Sequence, residues 1–235
     1  MIKPRRRAML LLGFILAGNL QGFALSPVEL EFGAGTAQNH NRGFYYFWSV
    51  NSFFSAEFDE SLMLYCAATL GQRAGIFDLG STLSVEYGLP FLRPYVPLFL
   101  KSAYLYQGLP AWETHIHTLI STAALKWKRA GFSLGYTLRW TNFTTGPVLF
   151  EPVIAYMAYL TFFKAGDTVI GARISNFGDS YADNLASFHV ALDNEFELGK
   201  RIRITCGFEV LLSGNVGHIV SVYGVSFREG IIFKW

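Results

Sequence analysis

The chain has 235 residues, with 19 Lys and Arg against 17 Asp and Glu, and is 17% aromatic but only 15% charged. No basic stripe marks it for nucleic acid. Beyond the first two dozen residues, the longest apolar stretch, Val148 to Phe163, is interrupted by Glu151 and Pro152, so a bundle of membrane helices is disfavoured.

In chain order, residues 1–24 read as a cleaved secretory signal. Lys3, Arg5, Arg6 and Arg7 form a basic start, Ala8 to Ala17 an apolar run, and Gly22 and Ala24 the small residues of a cleavage site. The run is shorter than the roughly 20 residues a permanent helix needs. No cysteine follows it, so lipoprotein processing is not expected. Removing the segment takes four of the bases and none of the acids, leaving 15 against 17.

Residues 25–235 form one domain whose hydrophobicity has a period of two, the signature of strands with unlike faces. Val28, Leu30 and Phe32 oppose Glu29, Glu31 and Gly33. Leu62, Leu64, Cys66, Ala68 and Leu70 oppose Ser61, Tyr65 and Thr69. Phe77, Leu79, Leu83, Val85 and Tyr87 alternate with Asp78, Gly80, Thr82, Ser84 and Glu86, and Phe132, Leu134, Tyr136, Leu138 and Trp140 with Ser133, Gly135, Thr137, Arg139 and Thr141. The clearest hairpin sets Phe188, Val190, Leu192, Phe196 and Leu198 opposite His189, Asp193, Glu195 and Glu197, then turns at Gly199-Lys200. Its return strand sets Ile202, Ile204, Cys206, Phe208, Val210 and Leu212 opposite Arg201, Arg203, Thr205 and Glu209. Twelve strands are predicted, at 27–36, 43–54, 60–71, 75–87, 92–106, 114–128, 131–143, 148–164, 167–177, 187–198, 201–212 and 217–235. Merging around Pro90 and Pro94, or between residues 44 and 70, gives ten, and eight ranks third. Three connections on one side are tight, and several on the other are longer. A soluble β-sandwich or lipocalin-like barrel would alternate as well, with the polar face outside.

The chain ends Arg228-Glu229-Gly230-Ile231-Ile232-Phe233-Lys234-Trp235. This resembles the C-terminal assembly signal of bacterial outer-membrane β-barrels, with Arg228, Gly230, Phe233 and Trp235 at its defined positions. The resemblance implies a last strand read by the barrel-assembly machinery. With the alternation, it implies an all-β, transmembrane, antiparallel up-and-down barrel with its apolar face toward outer-membrane lipid. Glu229 falls on the outward parity of the last strand, and a bulge near Gly230 is expected to turn it away from lipid. Cys66 and Cys206 are expected to be free and outward-facing, because their strands are not neighbours.

Inside such a barrel the expected acids are Glu29, Glu31, Asp78, Glu86, Glu151, Asp193, Glu195, Glu197 and Glu209. The expected bases are Lys101, Lys126, Arg139, Arg173, Arg201, Arg203 and Arg228. They predict a passive channel for small polar solutes with a mixed-charge constriction around Arg139, Arg173, Asp193, Glu195, Glu197, Arg201, Arg203 and Glu209. The competing expectation is a plug of ion pairs in a closed barrel acting through its external loops as an adhesin or structural protein. In size the chain is similar to small twelve-stranded porins that pass acidic sugars. Those carry an excess of lumen bases, which this chain lacks, so their substrate is not carried over. A third expectation is a lipid-modifying or proteolytic enzyme using Ser187 and His189 near Asp179 and Asp183. Glu113, His115 and His117 share a face and offer a transition-metal reading, set against ordinary rim histidines. Tyr104, Tyr106, Trp112, Trp127 and Trp140 are expected in interfacial girdles. No cofactor is implied, and the oligomeric state is left open.

Overall fold

The computed structural model describes residues 24–25, 28–39, 43–58, 61–90, 92, 96–177, 187–215 and 218–235. Residues 1–23 of the expected secretory signal, Asp179 and Asp183 lie outside the described residues, whereas Ala24 is described. Twelve long strands follow the predicted order: β2 (Glu29–Asn39), β3 (Gly43–Glu57), β4 (Leu62–Arg73), β5 (Ile76–Gly88), β6 (Leu98–Leu109), β7 (Thr114–Lys126), β8 (Ala130–Phe143), β9 (Leu149–Ala165), β10 (Thr168–Ser175), β11 (Ser187–Leu198), β12 (Ile202–Asn215) and β13 (His218–Lys234). A two-residue strand, β1 (Ala24–Leu25), pairs with Glu57 and Ala56 of β3. The ten- and eight-strand alternatives fail. β5 ends at Gly88 and β6 begins at Leu98, with Pro90 and Pro97 between them unable to donate to a ladder, and residues 43–73 make two strands.

Each long strand pairs antiparallel with the next, and β13 pairs with β2, so the sheet closes into a barrel without an edge. The start of β2 and the end of β13 lie at one end of the cylinder, called the termini end, and the opposite end is the loop end. Tight turns at the termini end include 127–129, 166–167 and 199–201, as expected. The division by loop length holds only in part. The long 89–97 connection is also at the termini end, and Ala74–Gly75 makes a two-residue turn at the loop end. That turn is tight because both residues have positive φ, 50° and 82°, which matches the twist of the flanking strands.

The two-residue period becomes inside and outside. On β5, Asp78, Thr82, Ser84 and Glu86 are buried, while Phe77, Leu79, Leu83, Val85 and Tyr87 are 41–50% exposed. The same holds on β8, where Thr137 is buried and Phe132, Leu134 and Tyr136 stand out. An outer belt of large apolar side chains would be unstable in water, and it suits an apolar surrounding. Cys66 and Cys206 are free and share this outward face. The expected bulge near Gly230 is absent. The register shifts of β12 and β13 fall at Leu211/Leu212 and Ser213/Gly214, so Glu229 stays outward, opposite Cys206 and Ala34.

Candidate functional site

The inward side chains form ion pairs at several depths rather than one ring. At the termini end, Arg203 sits among three acids: Nε is 3.7 Å from Glu197, Nη1 3.8 Å from Glu195 and Nη2 3.9 Å from Glu29. Lys234 adds a 3.2 Å contact to Glu197. Their placement follows from register, since Glu197 is the cross-strand partner of Arg203 and Lys234 of Glu29. On the opposite wall Lys126 pairs with Glu86 and lies over the Phe99 ring, 4.9 Å from its centroid.

Nearer the loop end, Arg173 faces Asp193 at 3.5 Å, and His189 Nδ1 lies 2.9 Å from Glu209. Arg139 pairs with Glu151 and Arg73 with Asp78, each at 3.8 Å. Arg228 is exposed in the lumen, with no carboxylate on it among the described residues. Its backbone occupies the space a Cβ on Gly35 would need, 3.0 Å away. The expected constriction is therefore divided. Glu195, Glu197 and Arg203 belong to the termini-end cluster, while Arg173, Asp193 and Glu209 lie higher and Arg139 higher still. Arg201 is a correction: it stands exposed in the turn after β11, because the hairpin needs three residues to reverse, and it does not join the cluster.

Between these levels the wall carries an apolar shelf. β10 stops at Ser175, and Asn176 continues its pairing to β9 with backbone and side chain together. Its Oδ1 accepts from Tyr156 N at 2.9 Å, and its Nδ2 donates to Ile154 O at 2.6 Å. So anchored, the chain directs Phe177 into the lumen, where it packs on Ala103, Leu105, Ile120 and Ala155 and is 5% exposed. Phe177 lines both a cavity of about 660 Å³ and a gap of about 20 Å³ against β5–β7. The larger cavity reaches the loop end at Gln38, Tyr45 and Trp112 and extends down to Glu195 and Thr205. Glu29, Glu197, Arg203 and Lys234 are not in its lining, so the ionic cluster lies beneath it as a floor.

Sequence reasoning missed Arg73, Phe177, Asn176 and Lys234. Arg73 was legible, because it continues the parity of Tyr65 and Thr69 once β4 runs on by two residues. Lys234 was legible as the inward alternate of Phe233 and Trp235. With them, and without Arg201, inward acids and bases come out about even. Phe177 carried no signal, since a phenylalanine at the end of a strand reads as wall.

The other candidate chemistry is placed differently from expectation. His189 has Ser175 as its cross-strand partner on β10 and a carboxylate on Nδ1. Ser175 Oγ, however, is buried and makes no hydrogen bond, so no base is seated on it. His115 and His117 face outward, their Nδ1 atoms 2.8 Å from Tyr106 Oη and 2.6 Å from Tyr104 Oη. Glu113 lies in the turn before β7 with a φ of 47°. Among the described residues no group of three metal-ligating side chains gathers there. Of the girdle residues, Tyr104, Tyr106, Trp112 and Trp140 lie toward the loop end and Trp127 at the termini end. In the C-terminal motif, Arg228 and Gly230 point inward. Phe233 points outward against Phe32, and Trp235 lies just past β13.

No family model matches the chain, and no curated protein matches it in sequence. Solved structures resemble its fold. The NanC porin superposes with a TM-score of 0.57 at 12% identity, covering 88% of this chain and 100% of that one. The KdgM porin, in complex with disordered oligogalacturonate, gives 0.53 at 9%, covering 88% and 99%. Outer membrane phospholipase A from Escherichia coli gives 0.52 at 11%, covering 94% and 98%. The neighbours are mainly small outer-membrane channels with an enzyme among them, and at these identities they establish the barrel fold alone.

Proposed function

We propose that this chain, with the fold of bacterial outer-membrane barrels, is a passive outer-membrane channel for small polar solutes. Residues 1–24 serve as its export signal, and Arg228, Gly230, Phe233 and Trp235 as the strand read during assembly. The observation that carries the proposal is the charged cavity of about 660 Å³, which reaches the loop end and rests on the Arg203 cluster. A closed structural barrel would fill its lumen with packed side chains, whereas among the described residues the filling is the Phe177 shelf and the ionic floor. The floor is the selective element: a solute that reaches it must exchange its contacts with those of Arg203, Glu195 and Glu197.

An adhesin reading is less well supported. The loop-end connections 40–42, 74–75, 110–113, 144–148 and 216–217 are all short, and only 176–186 has length to present. For an enzymatic reading, the Ser187 side chain lies outside the described residues, and Ser175, the serine opposite His189, makes no hydrogen bond through its Oγ. The deciding experiment is conductance of the purified protein in a planar bilayer, after outer-membrane fractionation and heat-modifiable gel mobility have checked the barrel. Discrete steps that change in Arg203→Ala support the channel. A correctly folded barrel that stays silent in both forms defeats it.

A further inference from the structure

The outer belt is broken on the last strand. Along β13 the outward series is Val225, Phe227, Glu229, Ile231 and Phe233, with one carboxylate among apolar neighbours. Phe227 and Ile231 are 39% and 43% exposed, and across the strands Phe208 and Phe32 are 44% and 47% exposed. Glu229 therefore lies inside the apolar belt rather than at either rim, five residues from the end of β13. No hydrogen-bonding or charged side chain meets it among the described residues. Within a bilayer such a group is costly unless another protein surface covers it.

The neighbours of Glu229 in the hydrogen-bonding direction are small. Cys206 lies opposite on β12 and Ala34 opposite on β2, and beyond Cys206 stands Asn194 of β11, also outward. Asn194 and Glu229 are two strands apart, about 10 Å, with Cys206 between them. The strip thus holds an amide donor and a carboxyl acceptor on either side of a low centre, rimmed by phenylalanines. A surface with both a donor and its acceptor is self-complementary, which is what a two-fold contact requires. A lipid chain can cover the strip but cannot hydrogen-bond to it.

We propose that the Asn194–Cys206–Glu229–Ala34 strip is the surface on which a second copy of this chain docks within the membrane. The carboxyl and amide groups of each copy are satisfied across the seam, and the two Cys206 thiols are brought near its centre. The inference rests on the barrel spanning a membrane and is independent of whether the lumen conducts.

Cys206 is a native reporter. In the full-length chain carrying Cys66→Ala, expressed in bacterial outer membranes, a short membrane-permeant bis-maleimide is expected to give a covalent dimer on denaturing gels. The dimer should vanish in Cys206→Ala, fall about ten-fold in Glu229→Leu and persist in Glu229→Gln, which keeps the hydrogen bonding. Heat-modifiable mobility confirms that each variant is a folded barrel, and outer-membrane fractionation tests the membrane reading separately. Sedimentation equilibrium in mild detergent gives a second readout that does not depend on thiol reactivity. A folded, membrane-inserted chain that sediments as a monomer, a bis-maleimide adduct to some other protein, or an undiminished dimer in Glu229→Leu overturns the proposal.

Discussion

Arg203 of β12 reaches over β13 to stand 3.9 Å from Glu29 of β2, so one guanidinium bridges the strands on both sides of the closing seam. With Glu195 and Glu197 it also forms the floor beneath the cavity. Arg203→Ala should widen the conducting path and leave three acids facing one another. We expect about a two-fold rise in single-channel conductance with a shift toward cations, read from steps and reversal potential in a salt gradient. Unchanged conductance would place the constriction elsewhere.

Arg228 lies in the lumen with no carboxylate in ion-pair contact among the described residues, so on the channel proposal its charge is open to passing solutes as well as acting on Glu209 of the wall. Arg228→Ala should move the reversal potential toward cation selectivity, and Arg228→Lys should leave it near the parent value. Equal shifts in the two variants would mean that the side chain acts by shape rather than charge. Because Arg228 also occupies the first position of the C-terminal motif, folded yield is measured alongside.

Phe177 fills the gap against β6, β7 and β9. Phe177→Ala should join the small gap to the main cavity and raise conductance. The expected cost is roughly 3 kcal/mol of stability, the low end for a buried phenylalanine, because the freed space can hydrate. The check is the denaturant midpoint of heat-modifiable mobility, run beside bilayer recordings.

Asn176 holds Phe177 in place through its two side-chain bonds to β9. Asn176→Ala should cost about 2 kcal/mol, one for each hydrogen bond lost. It should also reproduce part of the Phe177→Ala conductance change. Loss of stability with unaltered conductance would show that the clamp and the shelf are independent.

Gly230 has no room for a side chain. A Cβ there would stand 2.6 Å from Thr205 Oγ1 and 3.1 Å from Glu31 Oε1. Gly230→Val should lower the folded fraction, at a cost of about 1–3 kcal/mol for overpacking, and Thr205→Ala should restore part of it. Absence of rescue would point to recognition of the glycine during assembly instead of packing in the finished barrel.

Much of this was legible from parity. A strand under the constraint of two unlike surroundings repeats every two residues, so Asp78, Glu86, Arg139, Arg173 and Glu209 were placed inward without knowledge of any partner. Parity fails where a strand ends: Arg201 matches Arg203 by count, yet the turn claims it. It also says nothing about chain that leaves the wall, which is why Phe177 was read as strand and its shelf went unseen. Glu229 is the opposite case. The count put it outside, chemical expectation supplied a bulge to bring it in, and the count was right.

The pairing of β13 with β2 is the one contact in the ring between strands distant in the chain, and Trp235 N extends it by donating to Val28 O at 3.0 Å. Every other pairing among the twelve long strands joins neighbours in the chain. The entropic cost of loop closure is therefore concentrated in a single late event. Until it occurs, a fully formed curved sheet carries two raw edges able to capture any other strand. A catalyst that shelters those edges, rather than one that speeds the hairpins, would govern how fast this protein matures.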